Sequence, residues 1–215
     1  SFQIDSIDNK FKKRIWNKIR EDIFEKITRE RSSSYFTYNS EHKMFVLLYD
    51  EYIGVDFKPT NNIYNLEKQI KEYYDKLEWF KIYDFLEALV YFHYNQNKKE
   101  QFKTNINNTL EQEMSGYRFV DDCIAPIIDE VEIKEIEEVF ESDYDTVKVH
   151  LSKALELLSD RENPDYQNSI KESISAVESI VNLVSGKTNV ALNKCFQYIP
   201  FEMDENFKSS MMRLY

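Results

Sequence analysis

Three glycines and four prolines serve all 215 residues, and this shortage of chain breakers constrains the fold more than any other feature. Ordinary usage is about 7% Gly and 5% Pro. A chain with so few breakers, and with long runs rich in Lys, Glu, Leu and Ile, is expected to be mainly helical. The breakers that remain then mark where helices end.

Periodicity places the helices. Phe11, Ile15, Ile19, Ile23 and Ile27 step by four, and Trp16 and Phe24 widen the same face. That spacing predicts a helix from about Asn9 to Arg31, broken by Arg31-Ser-Ser-Ser34. Met44 to Ile53 reads as a buried second helix ended by Gly54, and Lys58-Pro-Thr-Asn-Asn62 as a turn. Leu66 to Tyr74 and Leu77 to Asn95 follow, the latter dense with Trp79, Phe80, Tyr83, Phe85, Tyr91 and Phe92. An aromatic stripe at helical spacing reads as core. Asn95 to Lys99 looks like a polar break before a helix from Phe102 to Met114.

The texture then changes. Gly116-Tyr-Arg-Phe-Val120 and Ile124-Ala-Pro-Ile-Ile128 are short β-type runs around Asp121-Asp122. They predict a small hairpin, with Pro126 at an edge position. Asp129 to Phe140 is an acidic helix, and its Ser142-Asp143 exit opens a second, C-terminal unit.

In that unit Asp145 or Thr146 would cap a helix to about Leu158, burying Leu151, Ala154, Leu155 and Leu158. Asp160 to Pro164 turns the chain, and a helix from Asp165 closes at Gly186-Lys-Thr-Asn189. Along it Ile170, Ile174, Val177, Val181 and Val184 form an apolar stripe, and Lys171, Ser175, Glu178 and Asn182 a polar file beside it. That pattern suits a helix that packs on a partner and borders a cleft. The two helices make an αα-hairpin, for which Val190 to Tyr198 and Asp204 to Tyr215 are the natural cover.

Charge narrows the function. The net charge of −11 and pI of about 4.9 count against a free-standing, non-specific nucleic-acid binder. The distribution is uneven: residues 1–31 carry nine Lys/Arg against six Asp/Glu, and residues 129–146 nine Asp/Glu against one Lys. Both read as solvated helix faces, with an RNA-facing patch at Lys12, Lys13, Arg14, Lys18 and Arg20 as the sharper alternative. Cys123 and Cys195 belong to no cluster and fit reduced thiols in a cytoplasm. No N-terminal apolar segment or run near 18 apolar residues indicates secretion or membrane spanning. There is no Gly-rich phosphate loop, His-Glu-x-x-His, Gly-x-Ser-x-Gly or zinc-ligand spacing. His42, His93 and His150 are scattered; His93 reads as a satisfied core histidine and His150 as a helix-surface residue.

Two stretches carry a family resemblance. His150-Leu-x-Lys-Ala-Leu-x-Leu-Leu-Ser159, followed by Asn163-Pro-Asp-Tyr-x-Asn-Ser-Ile-Lys-Glu-Ser-Ile-Ser-Ala-Val-Glu178, resembles a HEPN domain, the helical module of many prokaryotic toxins and antiviral proteins. Gly116-Tyr-Arg-Phe-Val120, Pro126-Ile127 and the acidic helix to Phe140 resemble the N-terminal domain that precedes HEPN in AbiJ-type abortive-infection proteins. The resemblance implies an AbiJ-like domain over residues 1–141 and a HEPN bundle over 142–215.

It also implies an antiphage toxin that cleaves RNA without metal or other cofactor. Such a toxin would act as a homodimer through its HEPN helices, with an antitoxin or phage trigger as a further partner and no membrane. In the family an Arg, followed after roughly four to six residues by a His, steadies the phosphate while the His helps the 2′-OH attack it. No Arg here is followed by a His at that spacing; Arg213 is followed by Leu214 and Tyr215. The HEPN domain is therefore expected to be C-terminally incomplete, its motif lying beyond Tyr215. A non-catalytic dimerisation or partner-binding module is the alternative. Of the polar file, the resemblance casts Glu178 as the catalytic-cleft residue and Lys171 and Ser175 as substrate-binding neighbours.

Overall fold

A computed structural model describes residues 6–29, 40–54, 62–126, 129–160, 163–187, 194, 198–199, 202 and 204–213. It divides into two compact units, Ser1–Ile128 and Asp129–Tyr215, each considered by itself. The expected mainly helical class with one small hairpin is what the chain adopts.

In the first unit α1 (Asn9–Ile19) runs through a π-helical stretch, Arg20–Glu25, into α2 (Lys26–Arg29). Asp8 caps α1 by accepting from the Phe11 N–H at 2.7 Å. The helix α3 (Ser40–Leu47) likewise continues as a π-helical stretch, Leu48–Ile53, and stops at Gly54, whose φ of 64° is left-handed. The predicted Ser-rich break and the Lys58-Pro-Thr turn lie outside the described residues. Asn62 caps α4 (Ile63–Lys76), and α5 (Trp79–Tyr91) and α6 (Gln96–Gln112) follow.

The Asn95–Lys99 break is corrected: Asn95 is the N-cap of α6, its side chain accepting from the Lys98 N–H at 3.0 Å, so the polar run is a first helical turn. The aromatic stripe is corrected at one position. Tyr91 is 75% exposed, whereas Tyr83 and Phe85 are buried and Trp79, Phe80 and Phe92 half-buried.

The core of this unit is one aliphatic and aromatic cluster drawn from all of these helices. Phe24 stacks on Phe45 at 5.5 Å between centroids, Trp16 meets Tyr74 at 5.3 Å, and Tyr83 meets Tyr117 at 4.7 Å.

The hairpin joins β1 (Arg118–Val120) to β2 (Cys123–Ala125) in the register Phe119↔Ile124 and Val120↔Cys123. Asp121 and Asp122 form the turn, Asp121 at φ 55°, a conformation Asp tolerates better than most residues. Pro126 falls just past the β2 edge, and the strand ends at Ala125 rather than Ile128.

With a two-residue turn, Phe119 and Ile124 are the pair whose backbone groups point away from the partner strand. Helix side chains occupy both outward edges. Asn107 on α6 donates to the Phe119 carbonyl at 2.9 Å and accepts its N–H at 2.7 Å; Glu87 on α5 accepts the Ile124 N–H. A ribbon too short to stand alone is thereby completed on each side.

The second unit contains α7 (Glu130–Glu141), α8 (Asp145–Ser159), α9 (Tyr166–Ser185) and α10 (Glu205–Arg213). Asp129 caps α7, whose acidic positions face solvent as predicted. Asp145 lies in the first turn of α8 rather than capping it; Tyr144 holds the cap position without a side-chain hydrogen bond. Gly186, at φ 66°, closes α9 in the left-handed conformation expected of it. Val190 to Tyr198 lies almost wholly outside the described residues.

Candidate functional site

The α8–α9 hairpin is set by small residues. Ala154 and Ala176 are buried, and the buried Ser169 hydroxyl donates to the Ala154 carbonyl across the helix pair at 2.8 Å. The Asp165 N–H donates to the Leu157 carbonyl at 3.1 Å, and Asp165 caps α9 through the Asn168 N–H at 3.0 Å. That N–H, with the Asn168 side chain, holds the Asp165 carboxyl below its usual range.

This packing corrects the reading of α9. Ile170 is 61% exposed, and Ile174, Val177 and Val184 are half-buried; only Val181 of the stripe is buried. The face against α8 centres on Ser169 and Ala176, whose small side chains lie outside the apolar stripe. At about 100° per residue the file Lys171, Ser175, Glu178 and Asn182 lies roughly opposite that face.

The structure keeps the file aligned but gives its members different surroundings. Lys171 is exposed, Ser175 half-buried, and Glu178 half-buried with no hydrogen bond or ion pair among the described residues. The Ser175 hydroxyl donates back to the Lys171 carbonyl at 3.1 Å, the habit of a helical serine.

A pair the sequence reading did not single out lies on another side of the hairpin. His150 Nδ1 and Glu172 Oε2 are 2.7 Å apart, the side chains 32% and 33% exposed. They border a groove of about 670 Å³ with Lys148, Lys153 and Glu156 of α8 and Phe140 of α7. Lys153 pairs with Glu156 at 2.7 Å, which raises the lysine above its usual value. The signal for this pair was available: in an antiparallel hairpin, residues equidistant from the loop meet, so the 154–169 contact predicts one near 150–172. Glu172 lies roughly 120° around α9 from Glu178, so the polar file and this pair do not share a face.

In the N-terminal unit the basic cluster is largely engaged with its own protein. Lys12 Nζ donates to the Asp75 and Leu77 carbonyls at 3.0 and 2.7 Å, capping the end of α4. Burial there lowers its pKa. Arg14 pairs with the buried Glu113, Lys18 with Glu21, and Arg20 with Glu67 and Glu25. Lys13 is exposed. Lys12, Arg14 and Arg20 are thus engaged in tertiary contacts and Lys18 pairs with Glu21 three residues on, while Lys13 faces solvent.

His93 is half-buried, its Nδ1 accepting the Asn95 N–H at 3.2 Å; burial, with repulsion from Lys98, lowers its pKa to about 4. It is a hydrogen-bonded histidine, but it lies half-buried just past the end of α5 rather than in the core as read from sequence. Among the described residues no three His, Cys, Asp or Glu side chains are grouped to hold a metal, and no helix is long and apolar enough to cross a membrane.

A mainly helical protein is thus defined, with a helix-clamped hairpin in its first unit and a helical hairpin bearing a His–Glu groove in its second. The family model of AbiJ N-terminal domain 4 matches residues 1–142, and the chain belongs to that family. The membership associates it with abortive infection, a phage-defence response. No curated protein and no solved structure matches the chain.

Proposed function

We propose that the protein is an abortive-infection toxin whose C-terminal residues, 142–215, form a HEPN ribonuclease domain. In this reading residues 1–141 restrain or trigger it. RNA is cleaved in the cytoplasm when the 2′-OH attacks the adjacent phosphorus, with no metal ion needed to activate the nucleophile. The observation that carries the reading is family membership over residues 1–142, joined to an antiparallel α8–α9 hairpin in the segment that resembles HEPN.

Glu178 is the residue assigned to the cleft, with Lys171 and Ser175 beside it as substrate contacts. Lys171 would supply charge; Ser175 has its proton committed to the backbone and would offer only acceptor lone pairs. A homodimer through the HEPN helices would assemble the cleft, and an antitoxin or phage component would set its activity. The second reading is a non-catalytic dimerisation or partner-binding module built on the same α8–α9 hairpin.

Cleavage of RNA by the full-length protein, with and without EDTA, separates the readings. Activity that survives EDTA and falls in Glu178→Ala supports the toxin. Activity lost in EDTA rejects the metal-independent route, and RNA left intact under both conditions favours the binding module. Light scattering of the same protein tests the dimer.

A further inference from the structure

We propose that the α8–α9 groove is a phosphodiester site in which His150 transfers a proton, Glu172 positions it, and Lys148 and Lys153 hold the phosphate. The proposal rests on the ribonuclease reading for its substrate class and adds a site on a different side of the hairpin from Glu178.

The geometry assigns the roles. A carboxylate 2.7 Å from Nδ1 fixes the ring's orientation and favours a proton on that nitrogen. Nε2 is then the atom left to exchange protons, and it has no hydrogen-bond partner among the described residues. The ring is held between two helices already locked together by the buried Ser169–Ala154 hydrogen bond one helical turn away. A proton-transfer group held on rigid elements in this way does not have to be ordered when substrate arrives.

The lysines suit a phosphate. Lys148 has no ion-pair partner among the described residues, and the pairing of Lys153 with Glu156 joins two largely exposed side chains on one helix. Such a pair contributes little and exchanges readily for a phosphate oxygen. Among the described residues, the charged and titratable groups bordering the groove are Lys148, His150, Lys153 and Glu156 from α8 and Glu172 from α9, while α7 contributes the ring of Phe140. Phe140 and the exposed Val149 give a base or ribose an apolar wall.

In the step itself, Nε2 takes the 2′-OH proton as that oxygen bonds to phosphorus. The bond from phosphorus to the 5′-oxygen breaks, and that oxygen leaves with a proton from water. The imidazolium returns its proton to the hydroxide so formed. One phosphorus–oxygen bond replaces another, and no oxidant, reductant or further reactant is consumed.

The test has two arms on the full-length protein. In the first, the His150 ring resonances are followed by NMR as a 2′-O-methyl oligonucleotide, which binds as RNA does but carries no nucleophile, is added. Bound oligonucleotide should shift them, and Glu172→Gln, which removes the carboxylate 2.7 Å from Nδ1, should change that response. Lys148→Ala with Lys153→Ala should weaken binding and flatten its salt dependence by about 0.7 per lysine in the log–log slope. In the second, His150→Gln should slow RNA cleavage by about 10²–10⁴-fold and remove the acidic limb, where a protonated base cannot act, from the pH profile.

A His150 resonance unmoved by millimolar oligonucleotide overturns the groove as a site, whatever the cleavage result. Oligonucleotide binding with wild-type RNA left uncut overturns proton transfer and the ribonuclease reading together. Undiminished cleavage by a folded His150→Gln protein overturns the role of His150 alone and leaves the toxin reading standing.

Discussion

The two units solve the same problem, keeping helices together, with different materials. Residues 1–128 bury Phe11, Phe24, Phe45, Tyr74, Tyr83, Phe85, Phe102 and Phe119 almost completely and lace them with aliphatic side chains. In residues 129–215 the buried apolar positions among the described residues are Val147, Ala154, Leu155, Ala176 and Val181, while Val149, Ile170 and Leu183 face outward. Large rings hold the first unit by area removed from water; in the second a few aliphatic side chains are buried together with Ala154, Ala176 and Ser169, whose hydroxyl donates across the helix pair.

That comparison can be broken most severely at Phe85, fully buried with Tyr73 and Tyr74 rings 6.0 Å away. Phe85→Ala should cost about 3–5 kcal/mol through lost transfer energy and the cavity left behind. Urea unfolding followed by tryptophan fluorescence reads it selectively, since Trp16 and Trp79 both lie in the first unit. A cost below about 1 kcal/mol would mean that the aromatic core is not what holds this unit.

Acid should act next, and on the same unit. His93 titrates near 4 in the fold and near 6.5 unfolded, so between those values the unfolded chain holds the extra proton. Stability contributed by the neutral ring is therefore present above pH 6.5 and falls as the pH drops towards 4, by no more than about 2 kcal/mol once the screening of a half-exposed ring is allowed for. Equilibrium unfolding of wild type and His93→Gln across that range checks it; the variant should lose most of the dependence.

Asn107→Ala removes both bonds to the Phe119 backbone and should cost about 2 kcal/mol. Hydrogen exchange should show the Phe119 amide losing protection before its α6 neighbours. The smallest effect should come from the second unit. Ile170→Lys, at an exposed position, should change stability by less than about 0.5 kcal/mol, read by thermal unfolding of the helical signal. A loss well above 1 kcal/mol would show that this face is covered in solution and that the two units differ less in how they are held.

Sequence periodicity located the helices well because breakers are few and the apolar steps of four in α1 are long and regular. Gly54 and Gly186 end helices in the left-handed conformation that such positions favour, and two short β-type runs around Asp121-Asp122 do pair as a hairpin. Asn95 misled for a local reason: a capping residue and a loop residue have the same polar character, and the difference appears only when its side chain accepts the Lys98 N–H. The helix from Asp165 misled for a packing reason. Its branched apolar side chains suggested the buried stripe, yet a close helix pair prefers serine and alanine between its backbones.

What the sequence by itself determined was therefore the helical class, the hairpin, most helix ends and the AbiJ resemblance, since these rest on spacing and breakers within short stretches. Tertiary structure alone decided which side of α9 is buried, that Lys12 and Arg14 of α1 are engaged with the end of α4 and with Glu113, and that His150 meets Glu172. Each of those depends on side chains distant in sequence, and a pattern along one helix does not specify which neighbour that helix will meet.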